Sequence, residues 1–245
     1  MSIISKMGNV KLLKKKPHTS ASIPVTRFLS FSSLRAMLLR FPSVYLKPND
    51  CCHGKGIIRV DRLPKGRFKM RIRDTKRTSH RANLSKVWSL FQRVRMNRYY
   101  VVQQGIESVT KKGVPFDIRA HVLRVDGEWK VAGLVGRVAR SKSIVTNRHS
   151  GGKPRFIDHL LTKDLGYSPE EKEKVIQTME NLAKQSAETI SRAYPRWYEL
   201  GVDLGIDRQR HVWIYEVNIT PGFTSFSQVD PEARQRILSW RKKAK

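Results

Sequence analysis

Residues 215–222 read YEVNITPG, and they follow directly on the apolar run HVWI (211–214). Alternate residues of a strand point to one face, so Glu216 and Asn218 aim their side-chain oxygens at the same region. Hard oxygen donors converging on a point suit Mg²⁺, which fills its remaining positions with water and substrate phosphate. Two solvated polar side chains at a strand end would read the same way, so the neighbouring strand has to decide. The segment ELGVDLGID (199–207) lies across a short polar turn, and the two stretches read as an antiparallel hairpin. With the turn centred between Gln209 and Arg210, Asp203 lies opposite Glu216, with β-carbons roughly 5 Å apart. Asn218 is then one same-face step further along. Two carboxylates held that close call for a cation or a shared proton. A carboxyl pair doing acid–base work, as in glycosidases, is the competing reading, and it leaves Asn218 without a role. Asp207, roughly 13 Å along the strand, reads as a turn residue.

The chain has 245 residues, enough to bury a substantial core as one domain of two or three lobes. With 39% hydrophobic and 28% charged residues it has the composition of a soluble globular protein. No run is long and apolar enough to cross a bilayer, so no membrane span is expected. The start, MSIISKMGNVKLLKKKPH, is basic and lacks the apolar stretch of a secretory signal. Cys51 and Cys52 are the two cysteines, and adjacent thiols build no disulfide framework. A cytoplasmic setting is expected. The net charge of +29 favours polyanionic partners such as nucleotides, nucleic acid or acidic peptides. It is concentrated, for residues 59–98 hold fourteen Lys and Arg against two Asp. Within that stretch RFKMRIR (67–73) alternates basic with apolar residues, the pattern of a half-buried strand with one cationic face.

Residues 1–22 form a basic N-terminal segment, read as loosely ordered or as a short leading helix. SFSSLRAMLLRFP (30–42) carries a serine cap, helical apolar spacing and a proline stop. SVYLKP (43–48) and IIRV (57–60) read as a hairpin with a glycine-bearing tip, and a helix is expected near 84–95. Strands follow at 98–106, 116–125 and 129–139, then a polar loop over 140–152. SPEEKEKVIQTMENLAKQSAETISRAY (168–194) is the clearest helix, with Ser168 as cap, Pro169 in the first turn and Glu171 completing a capping box.

The series SVYLKP, GKGI, YVVQQGI, FDIRAHV, GRVAR, TNRHSGG, GVDLGID and VWIYEVNITPG, in that order, resembles the ATP-grasp superfamily. Within it the chain is most similar to the YheC/YheD-like proteins of endospore-forming bacteria, and next to RimK-type glutamate ligases. The resemblance covers nearly everything from about Pro24 onward. It implies an α+β, ATP-grasp fold: two α+β lobes, a small one over about 40–100 and a large one over about 101–240, with ATP held between antiparallel sheets. The ATP-grasp domain as a whole is expected over 23–240, without the separate N-terminal domain that often precedes it.

The resemblance also implies roles. Lys47 would contact ATP phosphates, and Gly54 and Gly56 would belong to the loop over the triphosphate. Gln103, Gln104, Gly105 and Ile106 would form the hinge segment that holds adenine. Asp117 and Arg119 would stand beside nucleotide and substrate, and Arg137 and Asn147 would face the transferred phosphate. Asp203, Glu216 and Asn218 would be the Mg²⁺ ligands, the set the hairpin reading reaches by itself. The implied activity is ligation of a carboxylate to an amine, or to a thiol, through an acyl phosphate. ATP and Mg²⁺ would be the cofactors, and an acidic peptide is among the candidate substrates. The implied setting includes the spore coat. The alternative is a non-catalytic ATP-binding spore-coat protein, or a polyanion or nucleic-acid binder on the same scaffold. His149 reads as a solvated loop histidine and the vicinal cysteines as space-filling.

Overall fold

The computed structural model of the chain describes residues 5–50, 54–73, 78–139 and 152–244. They fall into two units. One holds 5–10 and 24–106, and the other holds 11–23, 107–139 and 152–244. Each is built on one antiparallel sheet. Helices α1 (Lys6–Lys14) and α2 (Pro17–Ser20) occupy the basic N-terminal segment.

In the first unit the sheet order is β1-β6-β2-β3-β4-β5. The strands are β1 (Thr26–Phe28), β2 (Ser43–Pro48), β3 (Ile58–Arg62), β4 (Phe68–Ile72), β5 (Thr78–Arg81) and β6 (Tyr100–Gln104). Their apolar alternation dictates which face is covered. Val44, Leu46, Ile58, Val60, Phe68, Met70, Ile72 and Val102 form one core with Leu34, Met37 and Leu38 of α3 (Phe31–Arg40) and Val87, Leu90 and Phe91 of α4 (Leu84–Val94). The expected cationic face of β4 is present. Lys69 and Arg71 alternate with buried Phe68, Met70 and Ile72. Asp61 accepts hydrogen bonds from Arg59 Nε at 2.7 Å and Arg71 Nη2 at 2.9 Å on that side. Burial pushes the pKa of Arg59 down, but the neighbouring Tyr45 and Asp61 outweigh it and hold it above its ordinary value.

In the second unit the order is β11-β10-β7-β8-β9. The strands are β7 (Phe116–Val125), β8 (Glu128–Val138), β9 (Lys153–Phe156), β10 (Glu199–Ile206) and β11 (Val212–Ile219). Helix α5 (Ile157–His159) follows β9 and runs into a π-helical turn, Leu160–Asp164. The 25-residue helix α6 (Pro169–Ala193) packs across β7, β8, β10 and β11. Its start follows the expected signals: Ser168 Oγ accepts from the Glu171 amide, and the Glu171 carboxylate accepts from the Ser168 amide. A second cluster, Leu123, Val125, Ala132 and Val135, is covered by Phe226 of α7 (Thr224–Val229) and by Ala233 and Ile237 of α8 (Pro231–Arg241). No helix among the described residues is long and apolar enough to cross a membrane.

Three strands and two C-terminal helices go beyond the sequence reading. β1, β5 and β9 each lie at a sheet edge. The segment read as a polar loop over 140–152 is followed at once by β9, whose Pro154 sits where a strand needs no second ladder. Helices α7 and α8 lack a strong apolar stripe, although Asp230, whose carboxylate accepts from the Ala233 amide, and Pro231 mark the start of α8.

Replacing the α6 cap tests how far local signals hold this unit. Ser168→Ala should lower its unfolding free energy by about 1 kcal/mol, read as a shifted denaturant midpoint with an unchanged slope.

Candidate functional site

The hairpin of β10 and β11 sets Asp203 opposite Glu216 and Gly201 opposite Asn218. This is the pairing the sequence implies, but the turn is centred on Gln209, half a residue from its expected centre. Leu204 pairs with Ile214 and Asp203 with Glu216, so Tyr215 is the extra residue of a bulge. The Tyr215 hydroxyl is hydrogen-bonded to Ser108 Oγ at 2.6 Å, and a β-carbon on Gly205 would lie 2.0 Å from it. Asp207 is the turn residue expected. Its Oδ1 accepts from the amides of Gln209 and His211, and its Oδ2 from Trp213 Nε1.

Strands β7 and β8 bring the arginines to the same face. Asp117 pairs with Arg137, and Arg119 pairs with Asp203. Arg137 clamps Asp117 with two bonds of 2.7 Å and reaches Asp203 Oδ1 at 2.9 Å. Arg119 donates Nε to Asp203 Oδ1 at 2.6 Å and Nη2 to Oδ2 at 3.2 Å. Asn218 Nδ2 donates to Asp203 Oδ2 at 3.0 Å. Asp203 thus accepts four hydrogen bonds, about the capacity of a carboxylate. Burial pushes its pKa up, but the charges of Arg119 and Arg137 outweigh burial and hold it at about 2. Burial pushes Arg137 down, and Asp117 and Asp203 outweigh it and hold it above its ordinary value. Gly201 makes room for this arrangement, since a β-carbon there would come within 2.7 Å of Pro221 and 2.9 Å of Arg119 Nη1. Thr220, just beyond Asn218, has φ of 59°, a left-handed conformation uncommon for a β-branched residue.

Two carboxylates and one carboxamide on one face have the donor chemistry of a Mg²⁺ site. With Asp117 included, three carboxylates face two guanidinium groups, which leaves these five side chains one net negative charge. The donor types fit the ion. Asp203 joins its shell only by giving up one of its four present hydrogen bonds. Among the described residues no group of three His, Cys, Asp or Glu side chains is placed to hold a metal ion, so the set here is two carboxylates and a carboxamide.

The remaining expected residues lie on the first unit, apart from Asn147, which with His149, Cys51 and Cys52 is outside the described residues. Lys47, half-buried on β2, donates Nζ to Gln103 Oε1 at 2.5 Å, and Gln103 Nε2 donates to Thr26 Oγ1 at 3.1 Å. Gln104 and Gly105 already give their amides to the carbonyls of Val25 and Ser43. A β-carbon on Gly105 would strike Ser43 Oγ at 2.1 Å, so glycine is required for that close pairing. Ile106, the last residue of this segment, is half-buried. Gly54 and Gly56 have φ of 72° and 69°. Gly56 is wedged against Pro48, Met96 and Tyr100, whose hydroxyl donates to its carbonyl.

A model of the YheC/D-like ATP-grasp family matches residues 1–241. The chain belongs to the YheC/D-like ATP-grasp family. Over 222 residues it is 25% identical to the endospore coat-associated protein YheD of Bacillus subtilis (strain 168), covering 89% of this chain and 48% of that protein. Over 227 residues it is 23% identical to YheC of the same organism, covering 91% and 60%. The chain therefore spans about half the length of these curated relatives. The D-alanine–D-alanine ligase of Coxiella burnetii superposes with a TM-score of 0.55 at 12% identity, over 97% of this chain and 57% of that one. An N5-carboxyaminoimidazole synthase from Aspergillus clavatus, solved with ADP and 5-aminoimidazole ribonucleotide, gives 0.52 at 10%, over 88% and 44%. These likenesses establish the ATP-grasp fold, α+β with two antiparallel sheets.

One cluster in this YheC/D-like chain was not foreseen. His121 continues the Asp117–Arg119 face and is fully buried. Its Nε2 lies 2.7 Å from Glu199 Oε1, and Glu199 also accepts from Arg241 Nε at 2.9 Å. Phe223 and Phe226 present their edges to the imidazole, and its Nδ1 has no hydrogen-bond partner among the described residues. The period-two spacing of 117, 119 and 121 carried the signal. Burial pushes the His121 pKa down, Glu199 pushes it up, and Arg119 and Arg241 push it down again, so the ring stays neutral below its ordinary value. Burial raises the Glu199 pKa, but hydrogen bonds from His121 and Arg241 outweigh it and leave it below the ordinary value.

Asp203→Asn removes the charge shared by two arginines, and should cost about 3 kcal/mol of stability, the low end for breaking a buried ion pair. Glu216→Gln keeps the side chain's size and should cost less than half as much in the same denaturation experiment. The geometry makes Glu216→Gln the cleaner probe of chemistry of the two.

A depressed histidine pKa contributes stability that is complete above the unfolded value near 6.5 and is lost as pH falls. Denaturant midpoints should therefore fall on going from pH 6.5 toward 5. In His121→Gln, which can still donate to Glu199, that part of the decline should flatten.

Proposed function

We propose that this chain is an ATP- and Mg²⁺-dependent ligase that joins a carboxylate to an amine (or thiol) through an acyl phosphate. The observation that carries the reading is the single face on which Asp203, Glu216 and Asn218 meet Arg119 and Arg137. In this reading the Lys47 ammonium binds nucleotide phosphate, and the hinge segment Gln103–Ile106 receives the base. Gly54 and Gly56 allow backbone amides to approach phosphate oxygens. Asp203, Glu216 and Asn218 would hold Mg²⁺, which when bound supplies positive charge against the triphosphate.

A substrate carboxylate oxygen attacks the γ-phosphorus in line. The bond from that phosphorus to the β,γ-bridging oxygen breaks, giving acyl phosphate and ADP. The amine nitrogen then attacks the acyl carbon, loses a proton and expels phosphate to leave an amide. Arg119 and Arg137 act by electrostatics. Their forks are fixed in advance by Asp117 and Asp203, so little reorganisation is needed when charge develops on the transferred phosphoryl. Asn147 is assigned the acyl-phosphate side by family position. The spore-coat names of YheD and YheC support a reading in coat or peptide modification, with an acidic peptide as the carboxylate-bearing substrate.

The test is a screen of acidic peptides and amino acids for acceptor-dependent ADP release with Mg²⁺. No ADP release with any acceptor, alongside tight ATP binding, would favour a non-catalytic ATP-binding coat protein. Lys47→Met isolates the nucleotide step, because it keeps the apolar stem and deletes the charge. ATP raises the melting temperature by mass action on the native state. In Lys47→Met that rise should shrink at least by half, while any shift with adenosine should be unchanged. An equal ATP shift in mutant and wild type would remove Lys47 from the phosphate site.

A further inference from the structure

The first unit carries a groove of about 530 Å³ lined by His80, Arg81, Ala82, Lys86, Ser89 and Arg93. Its two walls differ in kind. His80 and Arg81 are consecutive residues of β5, and consecutive side chains of a strand point to opposite faces, so both line one groove only where the strand presents its edge, with Ala82 just past the strand's end. β5 is indeed the last strand of the first sheet, paired with β4 alone among the described residues. The other wall is a stripe of α4, since Lys86, Ser89 and Arg93 recur at helical spacing on one side. Three of the six lining residues are Lys or Arg, and no carboxylate is among them. Arg81 spends one N–H on the carbonyl of His80 at 2.9 Å. β5 stands three strands from β2 in the sheet order, about 14 Å at the usual strand spacing, so the groove is separate from the Lys47 position.

We propose that this groove binds an acidic peptide in extended form, added as a further strand along β5. An edge strand offers alternating N–H donors and C=O acceptors. A peptide backbone matches both, which is the basis of strand addition beside a helix. A phosphodiester chain offers acceptors alone and would leave the edge carbonyls unmatched, and the groove's six lining residues include no Phe, Tyr or Trp, only the small imidazole of His80, for bases to stack on. Acidic side chains at alternate positions of the peptide fall on one side, about 6.7 Å apart. Lys86 and Arg93, seven residues apart on a helix, span about 10 Å, and so reach two such carboxylates. The inference does not rest on the ligase reading and is tested without nucleotide.

The probe is a labelled octapeptide of alternating Glu and Val, titrated into the full chain at low and high salt. Binding should weaken with salt and fall at least ten-fold in the double variant Lys86→Glu/Arg93→Glu, whose melting temperature should stay within about 2 °C of wild type, both positions being exposed. Two further peptides, N-methylated at odd or at even amides, keep every carboxylate and remove one row of N–H groups each. One of them should bind wild type at least ten-fold more weakly than the parent. Equal binding by parent and both methylated peptides would overturn strand addition. Undiminished binding in the double variant would overturn the groove as the site and leave its charges as guards against edge-to-edge aggregation. An oligodeoxythymidylate that displaces the peptide and binds more tightly would overturn the choice of peptide over nucleic acid.

Discussion

The second unit's polar face depends on one carboxylate. Asp203 takes hydrogen bonds from Arg119, Arg137 and Asn218, and through Arg137 it is tied to Asp117. Four strands or their ends are pinned to each other by this chain of alternating charge: β7 through Asp117 and Arg119, β8 through Arg137, β10 through Asp203 and β11 through Asn218. Taking such groups out of water costs several kcal/mol per ion, and their attraction repays the cost only with good geometry. The network is therefore a means of fixing positions more than a source of net stability. It keeps two guanidinium groups oriented on one face of the sheet.

Much of this was legible in the sequence because the decisive information was local and periodic. The same-face relation of Glu216 and Asn218 follows from strand geometry, and Asp203 was reached by counting back through a short turn. The bulge at Tyr215 could not be counted, yet it compensated for a turn centred half a residue away. What the sequence did not disclose is who partners Asp203. Arg119 and Arg137 lie on strands 84 and 66 residues away, and no local rule pairs them with it. The same applies to the Lys47 contact with Gln103, which joins β2 to β6.

The strands that escaped the sequence reading share a physical cause. β1, β5 and β9 are edge strands of three or four residues, and a strand that is short and half-solvated has little need of apolar alternation. TSHR and KPRF carry no periodic signal because none of their residues is fully buried. Central strands such as YVVQQ and FDIRAHVLRV are buried nearly throughout and announce themselves. Legibility here follows burial.

Thr220 shows a tension between order and stability at the end of β11. A left-handed backbone costs an L-residue with a β-carbon about 1–2 kcal/mol, and glycine escapes the cost. Glycine at this corner would relax the native chain, but it would also release the conformations that a β-branched side chain forbids. Those freedoms would act one residue past Ile219 and two past Asn218, at the strand end that carries the carboxamide. At this one position, a tougher protein and a better-defined site ask for different amino acids.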